Sequence, residues 1–140
     1  MTRDDVVALF KRRQDALSRR DAATLAGLHA PDGVVESPLA GGTARGREAI
    51  EQVYRSFFTA LLPTFEEEAL LVDGDHVAHL VHLEGTHRGG LLGLPGTGRT
   101  FSLSIVSLCE VRDGVIVHER RIYDFTGLLV QVGAIKTKAV

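Results

Sequence analysis

The sequence predicts an α+β domain in which helices come first and a curved antiparallel sheet follows. Three observations carry that prediction. Apolar residues recur at helical spacing through the N-terminal half; the pattern switches to strand alternation from Phe65 onward; and Asp73-Gly74-Asp75 and Arg112-Asp113-Gly114 join strands with the tight Asp-Gly turns that close antiparallel hairpins. A chain of 140 residues buries ~65–70% of its unfolded surface and needs no metal or disulfide to fold. One domain over 1–140, with room for a cavity, is the expectation.

The elements follow in order. Residues 2–20 read as a helix: Val6, Leu9 or Phe10, Arg13 and Leu17 fall on one stripe, Thr2 can cap, Asp4 and Asp5 lie in the first turn and Arg19 and Arg20 in the last. Arg13 is the polar member of that stripe. Asp21 can cap a short helix Ala22–His29, and a brief strand Val34–Ser37 stops at Pro38. Gly41-Gly42-Thr43 reads as flexible. A third helix, from about Arg47 to Leu61, carries Ile50, Val53, Tyr54, Phe57, Phe58 and Leu61 on one broad apolar stripe whose rings can line a cavity. Segments 65–72, 76–87, 100–111 and 115–125 are the strands of the meander, and a short apolar helix follows Asp124.

Composition limits the functions available. The chain is 44% hydrophobic with a net charge of −2 and no basic run, which argues against nucleic acid as a partner. Its one cysteine, Cys109, cannot form an intrachain disulfide, no apolar run approaches a membrane span, and the N-terminus lacks a signal-peptide pattern, so cytoplasmic residence is expected. The six histidines do not have metal-ligand spacing, since His79 and His82 face opposite ways on a strand. The loop Gly89–Gly98 lacks the Gly-Lys-Ser/Thr ending of a phosphate loop and reads as an apolar flap, with Leu91, Leu92 and Leu94 able to close over a ligand.

Side-chain alternation assigns faces. In 76–87, Val77, His79, Val81, Leu83, Gly85 and His87 form the expected inner face, with His87 at the cavity mouth. In the last strand, Ile116, His118, Arg120, Ile122 and Asp124 share one face, and Val117, Glu119, Arg121, Tyr123 and Phe125 the other. The first set places an acid, a guanidinium and an imidazole among isoleucines and reads as the wall of a pocket.

The motifs Gly85-Thr86-His87-Arg88-Gly89, Leu92–Arg99, Arg112-Asp113-Gly114 and Tyr123-Asp124-x-x-Gly127-Leu128-Leu129-x-Gln131-x-Gly133 together resemble the SnoaL-like polyketide cyclase (ester cyclase) family. That family belongs to the nuclear-transport-factor-two-like superfamily. The resemblance implies a cone-shaped barrel of curved antiparallel sheet packed on the N-terminal helices. It also implies a homodimer through the sheets, no cofactor, and a hydrophobic small-molecule substrate. The expected reaction is an intramolecular aldol cyclisation or related proton transfer, in which Asp124 is the general base and His118, Arg120 or His87 stabilises the enolate. Phe10, Arg13, Tyr54, Phe58, Leu91, Leu94 and Ile122 are the expected substrate-binding residues. The sequence departs from the family at Ile122, two residues before the proposed base, where a histidine is common. A binding domain of the same fold without catalysis is the alternative. The sibling isomerase and epoxide-hydrolase chemistries fit less well: Ser37 and Arg13 stand where the isomerases place a base and a tyrosine, and strand 101–109 has no Arg-x-Asp pair.

Overall fold

The structure is a computed structural model that describes residues 1–136, so the last four residues of the expected domain lie outside the described ones. Its elements are α1 (Arg3–Ser18), α2 (Ala22–Gly27), β1 (His29–Ser37), β2 (Gly42–Arg45), α3 (Arg47–Leu61), β3 (Thr64–Asp73), β4 (His76–Thr86), β5 (Thr100–Arg112), β6 (Val115–Ile122) and α4 (Phe125–Gln131). No helix among the described residues is long and apolar enough to cross a membrane.

Local chemistry sets the helix ends. Thr2 and Asp5 form a reciprocal capping box on α1, and Asp21 caps α2 by accepting from the Thr24 N–H. Helix α3 stops at Leu62, whose left-handed backbone (φ 40°) returns its N–H to the Phe58 carbonyl. Beneath that turn Gly85 of β4 comes so close to α3 that a Cβ would run into the Leu61 carbonyl and lie 2.8 Å from the Phe101 ring.

The sheet is mixed, in the order β2-β1-β6-β5-β4-β3, and it is not closed into a barrel. The antiparallel meander β3 to β6 is as the alternation predicts. The last strand ends at Ile122 instead of running to 125, because Asp124 caps the helix that follows, and two further features differ from the sequence reading. β1 starts at His29 and pairs parallel to β6, and the stretch read as flexible, Gly41-Gly42-Thr43, runs into the strand β2 that pairs with β1. A local reading misses both because each strand is stabilised by a partner distant in sequence.

One irregularity decides which side chains face the helices. On β5–β6, Glu110 pairs with His118 and Val111 with Ile116, so Val117 is an extra, bulged residue. A bulge shifts the alternation by one position. Ile116 points inward before it, and Glu119 and Arg121 point inward after it.

The interior is layered. Val6, Leu9, Phe10, Val77, Cys109, Val111 and Ile116 form one apolar cluster, while Leu17, Tyr54, Phe57, Phe58, Val81, Ile105 and their neighbours belong to a larger one. Between them α1, β4, β5 and β6 each contribute a polar side chain. Arg13 lies between Phe10 and Leu17, His79 between Val77 and Val81, Ser107 between Cys109 and Ile105, and Glu119 follows Ile116.

Candidate functional site

The polar layer centres on Glu119, which is fully buried on β6. Arg13 Nη2 donates to its Oε2 at 2.8 Å, Arg121 Nε donates to the same oxygen at 2.8 Å, and the Ser107 hydroxyl donates at 3.0 Å. The Tyr54 hydroxyl donates to Oε1 at 3.4 Å, and His29 Nε2 lies 3.5 Å from that oxygen. Burial opposes ionisation of Glu119, but the guanidinium groups of Arg121 and Arg13 outweigh it and hold the carboxyl well below its usual range. Burial likewise works against the charge on each arginine, and Glu119 overcomes it and raises both.

The histidines of the layer are neutral. Burial lowers His29 to about 4 against the pull of Glu119, and neither of its ring nitrogens has a hydrogen-bond partner among the described residues. His79 is also lowered to about 4, by burial and then by Arg13. Its tautomer follows from its neighbours: Arg13 Nη1 donates to Nδ1 at 2.6 Å, so Nε2 carries the proton and donates to Glu67 Oε2 at 2.7 Å. Arg13 is thereby clamped between Glu119 and a histidine that reaches the half-exposed Glu67.

Above this layer a cavity opens between α3 and the sheet. Its apolar wall is Leu17, Leu39, Val53, Phe57, Phe65, Val81 and Ile105, and its polar groups are Arg13, Ser37, Tyr54, Ser107, Arg121 and Tyr123. Arg121 stacks over the Tyr54 ring at 4.5 Å and points Nε and Nη2 at Glu119. Its Nη1 has no hydrogen-bond partner among the described residues. The Tyr123 and Ser37 hydroxyls meet at 3.4 Å, and burial raises the phenol of Tyr123, so it stays protonated. The cavity is narrow: its free volume is about 30 Å³, room for one water, whereas ligand pockets hold roughly 300–1,000 Å³.

The expected catalytic residues lie elsewhere. Asp124 does not face the cavity. It is exposed and caps α4, accepting from the Gly127 N–H at 2.8 Å. A Cβ at position 127 would run into that carboxylate, which explains the Asp-x-x-Gly spacing as a cap. His118 is half-exposed and pairs with Glu36 at 2.7 Å, while Arg120 and Ile122 are exposed on the sheet's outer face. The physical reason is the bulge at Val117, which turns outward the face assigned to the pocket wall. His87 is buried as a loop anchor, with Nδ1 accepting from the Thr97 N–H at 3.3 Å, and it is not among the cavity-lining residues.

Of the expected substrate-binding residues, Arg13 and Tyr54 line the cavity. Phe10 packs edge-on to His79 in the smaller apolar cluster, and Phe58 lies behind Tyr54 and Phe57. Leu91 is buried in the larger cluster and Leu94 is partly exposed on the flap, so neither reaches the cavity. The sequence reading passed over Glu119, Arg121, Tyr123, Ser37, Ser107 and His29. Its missed signal was Val115-Ile116-Val117, three apolar residues in succession that break the alternation.

This architecture has known counterparts. The family model described as SnoaL-like polyketide cyclase matches residues 8–132. The chain belongs to the SnoaL-like polyketide cyclase family. A nogalonic acid methyl ester cyclase from Streptomyces nogalater is 41% identical over 76 residues, 50% of this chain and 57% of that protein. A steroid Δ-isomerase from Nocardioides simplex is 37% identical over 60 residues, 43% of this chain and 49% of that protein. The match therefore spans only about half the length of these curated relatives. TsrD from Streptomyces laurentii has the same fold, with a TM-score of 0.81, 25% identity, and coverage of 96% of this chain and 99% of that one. Within this SnoaL-like chain, the polar layer and the cavity above it are the candidate site.

Proposed function

We propose that this SnoaL-like protein is a cofactor-independent cyclase or isomerase acting on a hydrophobic carbonyl compound. It would stabilise the enolate formed when a proton leaves a carbon flanked by carbonyls, and in a suitable substrate that enolate closes a ring by aldol addition. One observation carries the reading: the Arg121 guanidinium, nine-tenths buried, lines a largely apolar cavity, and one of its nitrogens has no partner among the described residues. A fixed donor in a low-dielectric site stabilises a developing oxyanion more than water does. The Tyr123 and Ser37 hydroxyls offer a second donor and a path for the proton.

Asp124 has no part as a base in this mechanism, because its carboxylate is exposed and occupied as a helix cap. Glu119 is a poor base as well, since Arg13, Arg121 and the Ser107 hydroxyl all donate to its Oε2 and hold it ionised. With neither carboxylate as acceptor, the proton passes to solvent water or hydroxide, relayed by the Tyr123 and Ser37 hydroxyls, so the carbon acid must be an acidic one whose ionisation the cavity favours. Entry of a ring-sized substrate requires lining side chains such as Leu39 and Phe57 to move, given the small free volume. That same narrowness favours a second reading, a binding domain that closes around a small guest without turning it over.

Hydrogen–deuterium exchange at the activated carbon of a 1,3-dicarbonyl probe, followed by proton NMR, separates the two. The wild type should accelerate exchange, Arg121→Lys should slow it by tenfold or more, and Tyr123→Phe should slow it less. Exchange at the uncatalysed rate refutes catalysis on such compounds, and wild-type exchange in folded Arg121→Lys refutes the role of the guanidinium.

A cytoplasmic homodimer through the outer face of the sheet belongs to the same proposal. It is supported by exposed Leu71, Leu108 and Ile122 beside a groove of about 410 Å³ lined by Leu71, Ala78, Leu108, His118 and Arg120. Light scattering on Leu108→Lys should show monomers where the wild type gives dimers; a monomeric wild type sinks the idea.

A further inference from the structure

The charges around the cavity do not balance. Arg13 and Arg121 are cations facing one buried carboxylate, Glu119, while His29 and His79 carry no charge at neutral pH. Two further charges touch the layer: Glu67, which reaches Arg13 only through His79 and is 39% exposed, and Arg47, exposed at the His29 carbonyl. Water screens both, and their signs oppose. One positive charge is therefore left over inside the fold, and it sits on Arg121. The guanidinium lines the cavity with two of its three nitrogens committed to Glu119, and the third, Nη1, has no hydrogen-bond partner among the described residues. Buried charges are normally paired. The remaining polar groups in the lining, the hydroxyls of Tyr123, Ser37, Tyr54 and Ser107, donate hydrogen bonds but add no negative charge.

From this imbalance we infer that the natural ligand is held as an anion, with an ionised carboxylate or enolate oxygen seated on Arg121 Nη1 and a flat apolar body lying against Phe57, Phe65 and Ile105. The inference rests on the cavity being the substrate site and deepens that reading by naming the charge of the ligand. It also sets this chain apart in substrate form from the relative named for a methyl ester, in which the acid is masked. A fixed guanidinium gains a charge-assisted hydrogen bond from a free acid that an ester cannot offer. The anion completes the ion balance that Glu119 leaves half-finished, so its binding should also stabilise the fold.

The test is isothermal titration of the full chain at pH 8.5 and low salt with three probes: 2-naphthoate, its methyl ester, and 1,3-indanedione as its enolate. At least one anion should bind about tenfold or more tighter than the ester, as expected for a charge-assisted contact. Naphthoate binding without indanedione identifies a carboxylate site, and the reverse an enolate site. In Arg121→Gln the preference for the anion should vanish while ester binding persists. If that variant does not fold, raising NaCl tenfold on the wild type should weaken the anions and leave the ester unchanged. Ester binding equal to that of both anions overturns the inference and leaves the cavity reading standing. No binding of any probe at millimolar concentration overturns both.

Discussion

Glutamine in place of Glu119 tests the organisation of the interior most directly. The substitution keeps the shape of the side chain and removes its charge. Arg13 and Arg121, each 2.8 Å from the same oxygen, would then face one another across a neutral amide. Removing one partner of a buried ion pair costs about 3–5 kcal/mol, because the other is left charged and unpaired. Here one carboxylate serves two guanidinium groups, so the loss should fall at the upper end of that range. With roughly 2.1 cal/mol/K of unfolding entropy per residue, a chain of this length would melt about 10–17 °C lower. Urea denaturation and differential scanning calorimetry should record that loss with an unchanged m-value. Adding Arg121→Met to Glu119→Gln should restore part of the stability, since it removes one stranded cation, and the two effects should be clearly non-additive. A loss below about 1 kcal/mol for Glu119→Gln, with the native spectrum retained, would refute the claim that this carboxylate organises the polar layer.

Acid should unfold the protein early. His29 and His79 have lowered folded values of about 4, so the unfolded chain binds more protons below pH 6.5. Their stabilisation is full above pH 6.5 and is lost as pH falls from 6.5 towards 4, on the order of 3 kcal/mol per imidazole. Denaturation midpoints that stay flat across that window would contradict the buried neutral imidazoles. Gly85→Ala should cost ~1–3 kcal/mol by driving a methyl group into the Leu61 carbonyl and the Phe101 ring, read as a fall in melting temperature without a change in net charge. Asp124→Ala should cost about 1 kcal/mol through loss of the α4 cap and leave turnover within a few-fold of wild type. Abolished turnover in folded Asp124→Ala would reinstate the acid at the strand end as the base. Leu39→Ala should enlarge the cavity and lower KM for a bicyclic 1,3-dicarbonyl substrate; a raised KM would place Leu39 among the groups that grip the substrate instead of those that shut it out.

The helices were legible because their signals are local. Thr2, Asp5 and Asp21 act on backbone groups three residues away, and the aromatic stripe of α3 needs only a period of 3.6. The hairpins were legible for the same reason, through their Asp-Gly turns, and the inward His79 of β4 follows from an unbroken alternation. The family was legible as well, in the motifs of the last third of the chain. The spacing Asp124-x-x-Gly127 was read correctly as a motif, yet the structure makes it a helix cap facing solvent.

What the amino-acid order alone determined is the set of elements and the apolar surfaces they must bury. Tertiary structure decided which charged residues share the interior. Arg13 and Glu119 are 106 positions apart in sequence, and what brings them together is the sheet order together with one extra residue at Val117. A bulge is a relation between two paired strands, so it has no local signature stronger than three consecutive apolar residues. It nonetheless moves every later side chain of β6 to the opposite face, and with them the chemistry of the cavity.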